Sequence, residues 1–265
     1  MLAGIDLSGK VYIYTGADGN LASQGTLALA RANASLILTC RTAAKCEAVR
    51  SSIINQTGTT APLEISLLDL SSKDSIRQFA NRTIAKHAKI EGLINSAATY
   101  GTFMTHDHLV GAMEINLLGP ALLTDMLLPV LRGGGRVVNV AAAAYGGNHL
   151  LPNATAKSLA GLCTSLDPHL NKTGGYYDFS KFLMVHHAIE LARREPTVHA
   201  VALAPGVAFK LPDVPDWVKH DLMHFPYPEW LLKKLPAALQ VACQLMCLHA
   251  VYVVTLHVVV LQYCM

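Results

Sequence analysis

The chain has 265 residues, of which 52% are hydrophobic and 15% charged, and its mean hydropathy is +0.34. This length is enough to bury the core of one α/β domain. The formal net charge is +3 and no basic run is present, so we expect no nucleic-acid partner. No basic-then-apolar leader precedes the first strand and the six cysteines show no metal-ligand spacing. These features predict a cytoplasmic protein with free thiols.

Apolar, β-rich runs alternate with amphipathic helical stretches up to residue 206. This alternation predicts an α/β fold, a doubly wound parallel sheet of the Rossmann type with helices on both faces. We predict a left-handed helix cap at Gly58 and a bend at Gly119-Pro120. The predicted strands are 11–16, 35–40, 62–70, 92–98, 136–142 and 199–206, and the main helices are 21–33, one ending near residue 56, 72–87, 107–131 and one ending near residue 194.

The turn after the first predicted strand reads TGADGNLA. Small residues at such a turn let the backbone approach a pyrophosphate at the N-terminus of the next helix. Gly16 holds the first position of the usual three-glycine pattern, Asn20 the second and Ala22 the third. Asn tolerates left-handed backbone angles better than other non-glycine residues, and Gly19 lies one position away. The turn predicts a dinucleotide site, although an ordinary strand-turn-helix has the same composition.

The second predicted strand ends at Cys40, and Arg41 follows it. Many dinucleotide-binding chains have a carboxylate at the end of this strand. Without that carboxylate, a ribose 2′-phosphate can pair with the guanidinium of Arg41. This favours NADP(H) over NAD(H). The alternative is that Arg41 is a solvated residue at the start of a helix.

A tyrosine and a lysine stand four residues apart in YYDFSK, residues 176–181. On a helix, Tyr177 and Lys181 share one face with their side chains adjacent. An ammonium beside a phenol favours the phenolate, so we predict a pKa for Tyr177 below its usual value of about 10. A tyrosine of this kind is suited to acid-base catalysis near neutral pH.

Together these motifs resemble the short-chain dehydrogenase/reductase family. The resemblance extends over residues 10–206 and also includes LDL at 68–70, NSAA at 95–98, Asn116 in INLLG, VVNV at 137–140 and APG at 204–206. The CR pair after the second strand and the long gap before Tyr177 look most like the retinol-dehydrogenase-like branch.

The resemblance implies roles for individual residues. Tyr177 would exchange a proton with the substrate oxygen, Lys181 would bind the nicotinamide ribose, and Asn116 would anchor a water in a proton relay. Asp69 would contact the adenine, and Pro205 and Gly206 would lie under the nicotinamide. The catalytic residues are therefore predicted to be Tyr177, Lys181 and Asn116, and the cofactor site is predicted from Gly16, Asn20, Leu21, Ala22, Arg41, Asp69, Leu70, Asn95, Ala97, Tyr177, Lys181, Pro205 and Gly206.

One departure from the family pattern bears on activity. The catalytic serine of the family would lie three residues after Asn139, and this chain has Ala142 there. Loss of one such hydrogen-bond donor typically lowers the rate by about 10²–10³-fold. Four hydroxyls in the segment 143–175 are candidates to replace the serine, at Thr155, Ser158, Thr164 and Ser165. No sequence feature positions any of them at the site.

Two functions are therefore considered. The first is an NADP(H)-dependent oxidoreductase that interconverts a carbonyl and an alcohol on a small lipophilic substrate, with impaired activity. The second is a nucleotide-binding pseudoenzyme with a regulatory or scaffolding role. Family members commonly pair through the helices that bear Asn116 and Tyr177, so the resemblance implies a homodimer. His106, His108, His186 and His187 do not form a recognisable ligand set, and we expect no metal site.

The end of the chain has two interpretations. Residues 207–234 suit a substrate-covering loop within a single domain spanning residues 1–265. Residues 235–265 contain no Asp, Glu, Lys or Arg. They suit a helix followed by a β-branched strand, and they are also long enough for a membrane anchor, which needs about 20 apolar residues. Membrane association is therefore the alternative to a cytoplasmic location.

Overall fold

The computed structural model describes residues 5–101, 103–142, 156–168, 170 and 174–205. The described residues up to Ala204 belong to one unit, and Pro205 is grouped with a second. Gly206, the loop 207–234 and the tail 235–265 lie outside the described residues. The predicted organisation of the chain into one domain with a covering loop therefore stays a prediction.

Six parallel strands form one sheet in the order β3-β2-β1-β4-β5-β6. The doubly wound α/β fold predicted from the sequence is confirmed. Each predicted strand is found. β1 and β4 end within the ranges 11–16 and 92–98, which also include a predicted turn and exit loop, and β3, β5 and β6 end two or three residues earlier than predicted. The strands are β1 Val11–Tyr14, β2 Ser35–Cys40, β3 Leu63–Leu67, β4 Gly92–Asn95, β5 Arg136–Val140 and β6 His199–Leu203.

The central strands are apolar because both of their faces are covered. Ile13 of β1 pairs with Ile37 on one side and Leu93 on the other, and all three are at most 2% exposed. Parallel strands require crossovers, and the helices that supply them pack on the two faces. These helices are α1 Asn20–Arg31, α2 Ala43–Thr57, α3 Lys73–Lys86, α4 Gly111–Met113, α5 Gly119–Leu131, α6 Ala156–Thr164 and α7 Gly175–Arg194.

Two helix ends follow directly from local chemistry. The predicted left-handed cap is confirmed, because Gly58 follows α2 with φ of 64°. Ser72 precedes α3, and its side chain accepts a hydrogen bond from the amide of Ser75, which satisfies one unpaired donor of the first turn.

The predicted helix 107–131 begins four residues later than predicted, at Gly111. It is irregular because a π-helical turn, Glu114–Leu118, joins α4 to α5. The irregularity therefore lies just before the predicted bend at Gly119-Pro120. Gly119 has a separate role, since a Cβ there would lie 2.5 Å from the carbonyl oxygen of Leu70.

One helix in the described part of the chain, Gly111–Leu131, is long and apolar enough to cross a bilayer. Its most apolar window is 61% buried inside the protein. Leu123, Leu127 and Leu131 on this helix are fully buried in the main hydrophobic cluster. These properties are those of a core helix.

The expectation of free thiols is wrong for one pair. Cys40 and Cys46 form a disulfide with their Cα atoms 5.6 Å apart. Cys40 is the last residue of β2, and Cys46 lies in the first turn of α2, so the strand-to-helix turn brings the two side chains together. Sequence spacing alone did not reveal this because the separation of six residues is spanned by a sharp change of direction. Cys163 is a free cysteine.

Candidate active site

Predicted site residues follow the carboxyl ends of β1, β2, β3, β4 and β6, and the position of the missing serine follows that of β5. Successive strands are added to one side of β1 up to β3 and to its other side from β4 onward. Such a switch point, here between β1 and β4, opens a crevice at the carboxyl edge of a parallel sheet. Residues near this edge are Gly16 after β1, Arg41 after β2, Asp69 and Leu70 after β3, Ala97 after β4 and Ala142 after β5. Pro205 follows β6, and the predicted contact of Gly206 lies outside the described residues.

The turn between β1 and α1 packs tightly against the exit of β4. Gly16 has φ of 63°, and a Cβ at this position would lie 2.8 Å from the Cα of Ala97. The hydroxyl of Thr15 accepts hydrogen bonds from the amides of Ser96 and Ala97 at 2.9 and 3.1 Å. Glycine is therefore required at position 16 by both backbone angle and space.

Asn20 does not adopt the left-handed backbone angles that asparagine tolerates. It is the first residue of α1, preceded by Gly19 as an extended N-cap. The left-handed angle of the turn falls on Gly16 instead. Leu21 follows in the first turn of the helix, and Ala22 is fully buried. No side chain among the described residues caps α1 and no acidic residue occupies its first turn. Its N-terminal amides can therefore donate hydrogen bonds to an anion.

Arg41, just after β2, is a cation without a carboxylate partner among the described residues. Lys45 on α2 pairs with Asp18 of the turn at 3.2 Å, which neutralises the only carboxylate of TGADGNLA. Arg41 is exposed and makes no ion pair within the described residues. Asp69 accepts two hydrogen bonds from Ser71, at 2.9 Å from the amide and 2.6 Å from the hydroxyl.

Tyr177 and Lys181 lie on one face of α7, as predicted from their spacing. The Lys181 Nζ atom is 5.7 Å from the centre of the Tyr177 ring. Lys181 is only 2% exposed, and its ammonium donates a hydrogen bond of 2.6 Å to the carbonyl oxygen of Val140 at the end of β5. The adjacent Tyr176 is fully buried and bonds the carbonyl of Ser165 at 2.8 Å, so only the second tyrosine of YYDFSK faces the site.

The expected lowering of the Tyr177 pKa is wrong. Burial raises the pKa of Tyr177, and the adjacent Tyr100 hydroxyl raises it further. Burial also lowers the pKa of Lys181 to about 8. Sequence spacing correctly paired the two side chains but carried no information on desolvation, which opposes both charged forms.

The buried ammonium leads to a prediction about stability. The folded-state pKa of Lys181 is about 8 against 10.5 in the unfolded chain, so between these values the unfolded state binds more protons. Stability therefore rises with pH across this window. We expect the free energy of unfolding of the wild type to increase by about 2 kcal/mol relative to Lys181→Met between pH ~7.5 and ~9.5. Urea unfolding of both proteins at several pH values measures this difference, and parallel curves would contradict it.

Asn116 fastens the loop after β4 to helix α7. Its Oδ1 atom accepts the amide of Thr99 at 2.8 Å, and its Nδ2 atom donates to the Thr99 carbonyl at 2.9 Å. The same Nδ2 donates to the Ser180 hydroxyl at 3.0 Å, which in turn bonds the carbonyl of Tyr177. Asn116 is 1% exposed and lies in the π-helical turn. Its side chain thus sets the position of the β4 exit loop relative to Tyr177.

A second buried network lies beneath the site. Asn95 donates to Asn139 at 3.0 Å and to Thr124 at 3.2 Å, and Asn139 contacts the Nδ1 atom of His187 at 2.9 Å. These contacts join β4, β5, α5 and α7. Burial lowers the pKa of His187, so its ring is neutral near pH ~7. No group of three potential metal ligands occurs among the described residues.

Tyr100 is a site residue that sequence reasoning missed. Its ring stacks on that of Tyr177 with centroids 3.9 Å apart and planes inclined by 21°. Tyr100 lies two residues after the NSAA motif, so an aromatic residue just past the carboxyl end of β4 was the available signal. The contact itself depends on the fold, because the two residues are far apart in the chain.

Two of the four hydroxyls considered as replacements for the missing serine are described by the structure. Thr164 bonds carbonyls of its own helix, and Ser165 is exposed. Thr155 and the side chain of Ser158 lie outside the described residues. Ala142 follows Ala141, whose amide donates to Leu203 of β6.

Comparison with known proteins identifies the family. Residues 10–174 match the family model for short chain dehydrogenases. Retinol dehydrogenase 13 of Homo sapiens is 32% identical over 212 residues, which are 76% of this chain and 60% of that protein. Retinol dehydrogenase 12 of Mus musculus is 33% identical over 215 residues, which are 77% of this chain and 63% of that protein. The chain thus spans about six-tenths of the length of these two curated relatives.

Solved structures show the same fold. A short chain dehydrogenase from Shigella flexneri superposes with a TM-score of 0.58 at 22% identity, covering 76% of this chain and 73% of that one. An alcohol dehydrogenase from Thermococcus sibiricus, complexed with 5-hydroxy-NADP, has a TM-score of 0.57 at 20% identity and covers 75% and 76% of the two chains. The match over residues 10–174 and the similarity to the two retinol dehydrogenases lead to one conclusion: this chain belongs to the short-chain dehydrogenase/reductase family, in its retinol-dehydrogenase-like branch.

Proposed function

We propose that this protein is an NADP(H)-dependent oxidoreductase that interconverts a carbonyl and an alcohol on a small lipophilic substrate. The observation that carries the proposal is the pairing of Tyr177 with the buried Lys181 at the carboxyl edge of the sheet. A phenol beside an ammonium can hold and move a proton at one position, which is what carbonyl reduction requires.

The residues at this edge fit a dinucleotide. The close approach of Gly16 to Ala97 leaves no room for a side chain at position 16, and the uncapped N-terminus of α1 follows this turn. Both features suit a pyrophosphate. We propose that the turn, with Leu21 and Ala22, holds the phosphates, while Asp69 and Leu70 contact the adenine. Asn95 and Ala97 would line the central part of the cleft, and Pro205 with Gly206 the nicotinamide end.

A bound nicotinamide cofactor supplies or takes up the hydride in such a reaction. The Tyr177 hydroxyl would give its proton to the substrate oxygen during reduction and regain it during oxidation. The Lys181 ammonium would stabilise the resulting phenolate and bind ribose hydroxyls. A proton relay from Lys181 through a water at Asn116 is part of the same proposal. In this scheme Asn116 acts in addition through its hold on Thr99 and Ser180.

Preference for NADP(H) rests on the charge near Arg41. The guanidinium is exposed and makes no ion pair in the described part of the chain, while Lys45 neutralises Asp18. A ribose 2′-phosphate at this position would meet one uncompensated cation and no free carboxylate of the turn. Charge-assisted hydrogen bonds of this kind contribute about 1.5–3 kcal/mol.

We expect Arg41→Ala to weaken NADPH binding by about 10–100-fold and to leave NADH binding unchanged, because only NADPH carries the 2′-phosphate. Calorimetric titration with both nucleotides measures this change. Arg50→Ala is the matched control, since Arg50 is a partly exposed arginine on α2 that pairs with Glu47. Equal weakening of NADPH and NADH would contradict the assignment.

The proposed reaction is tested by single-turnover oxidation of NADPH with lipophilic aldehydes and ketones, including a retinoid aldehyde. The names of the two retinol dehydrogenase relatives favour this class of substrate. Failure to bind either nucleotide would overturn the proposal. Nucleotide binding without turnover of any substrate would favour the pseudoenzyme instead.

Assembly and location belong to the same proposal. Leu118 and Ile189 are exposed apolar residues on the helical stretches that bear Asn116 and Tyr177, and they support a homodimer formed through these helices. We propose a cytoplasmic location, with membrane association through residues 235–265 as the alternative. Carbonate extraction of the expressed protein separates the two.

A further inference from the structure

The β4 exit loop places a second phenol against the proposed proton donor. The Tyr100 and Tyr177 rings stack with centroids 3.9 Å apart and planes inclined by 21°. Tyr100 is 61% exposed, whereas Tyr177 is half-buried. The pair therefore has one phenol held in the protein and one at the surface of the cleft.

The stacked position of Tyr100 is enforced from the preceding residue. Asn116 binds both the amide and the carbonyl of Thr99, and it binds Ser180 on α7 with the same side chain. Ser180 in turn bonds the carbonyl of Tyr177. One buried side chain thus connects the residue before Tyr100 to the helical turn that carries Tyr177, so the exposed phenol is positioned by a buried support.

The Tyr100 hydroxyl lies close enough to Tyr177 to raise the pKa of that phenol, which favours the protonated form of Tyr177. Tyr100 itself is exposed, so its hydroxyl proton is available to another acceptor. A carbonyl oxygen has two lone pairs and accepts two donors at once.

We propose that Tyr100 is a second hydrogen-bond donor to the substrate oxygen, acting beside Tyr177 in place of the hydroxyl that is lost at Ala142. The proposal rests on the oxidoreductase function described above. During reduction the O–H bond of Tyr177 breaks and a new O–H bond forms on the substrate oxygen. Tyr100 keeps its proton throughout and donates hydrogen bonds, first to the carbonyl oxygen and then to the Tyr177 phenolate.

Tyr100→Phe tests the proposal because it keeps the stacked ring and removes only the hydroxyl. We expect kcat to fall by about 10²-fold with little change in KM, since the lost bond is strongest in the transition state. Tyr12→Phe is the matched control, because Tyr12 is a partly buried tyrosine on β1 whose ring faces Gly92. It should leave kcat unchanged.

A double variant distinguishes a chemical role from a structural one. If Tyr100 performs the serine's task, Ala142→Ser should raise kcat about tenfold or more in the Tyr100→Phe background and by much less in the wild type. Equal gains in the two backgrounds would overturn the proposal.

A readout without substrate or cofactor tests the contact itself. In protein made with isotopically labelled tyrosine, the Cζ resonance of Tyr177 is assigned from its disappearance in Tyr177→Phe. We expect this resonance to shift in Tyr100→Phe and to stay in place in Tyr12→Phe. An unshifted resonance would overturn the placement of the Tyr100 hydroxyl beside that of Tyr177, on which the proposal depends.

The outcomes separate this proposal from the function on which it rests. If Tyr177→Phe abolishes turnover while Tyr100→Phe retains wild-type kcat, Tyr100 is not a donor and the oxidoreductase function stands. If the wild type turns over no carbonyl or alcohol at all, the oxidoreductase function fails and the role of Tyr100 fails with it.

Discussion

Tyr177→Phe should lower kcat by about 10²–10⁴-fold while NADPH binding stays within a few-fold of the wild type. The substitution removes the only group proposed to transfer a proton to the substrate oxygen. It leaves the ring in place against Tyr100, so the packing of α7 and the β4 exit loop is preserved. Single-turnover rates and calorimetric titration of NADPH, measured on the same preparation, check both parts of this expectation.

The neighbouring tyrosine provides a matched control. Tyr176 is fully buried, and its hydroxyl bonds the carbonyl of Ser165 and accepts the amide of Asp167. Tyr176→Phe should therefore lower the free energy of unfolding by about 1–3 kcal/mol and leave kcat nearly unchanged. A wild-type rate in Tyr177→Phe, or an equal loss of rate in the two variants, would show that Tyr177 is not the proton donor.

Gly16→Ala should weaken the binding of both NADPH and NADH by at least about tenfold, or 1.4 kcal/mol. A Cβ at this position would lie 2.8 Å from the backbone of Ala97, and φ of 63° disfavours any side chain. The turn must therefore move away from the exit of β4, and its backbone then no longer meets the phosphates. Both nucleotides should be affected, because they share the pyrophosphate.

The variant Gly58→Ala is a control that distinguishes backbone strain from the loss of the proposed phosphate site. It has φ of 64°, almost the same as Gly16, but no atom lies within 4 Å of a Cβ built there. Gly58→Ala should cost about 1 kcal/mol of stability through backbone strain and leave nucleotide binding unchanged. If Gly16→Ala binds both nucleotides as tightly as Gly58→Ala does, the turn after β1 is not the phosphate site.

The candidate site could be predicted from the sequence where its members lie close together in the chain. The spacing of Tyr177 and Lys181 placed them on one helix face, since helical periodicity is a local property. The position of Gly16 after a strand and before a helix likewise followed from local chemistry. The raised pKa of Tyr177 could not be predicted in this way, because its main cause is burial, which comes from the packing of distant segments.

The same division holds for the fold. The apolar runs predicted six strands, and Gly58 predicted the end of α2. Both predictions succeeded because strand composition and glycine conformation depend on only a few neighbouring residues. The π-helical turn at Glu114–Leu118 was not predicted. Its buried Asn116 forms hydrogen bonds with Thr99 and Ser180, which belong to other segments. The turn therefore depends on these tertiary contacts as well as on its own sequence.

By itself, the sequence determined the doubly wound sheet, the family resemblance and the pairing of Tyr177 with Lys181. Each of these depends on hydrophobic period, turn chemistry or short spacing, which a linear chain displays directly. Only the tertiary structure decided that Cys40 bonds Cys46, that Tyr100 stacks on Tyr177 and that burial governs the acidity of the site. Those properties arise where separate strands and helices meet, and their distances and desolvation do not exist until the chain has folded.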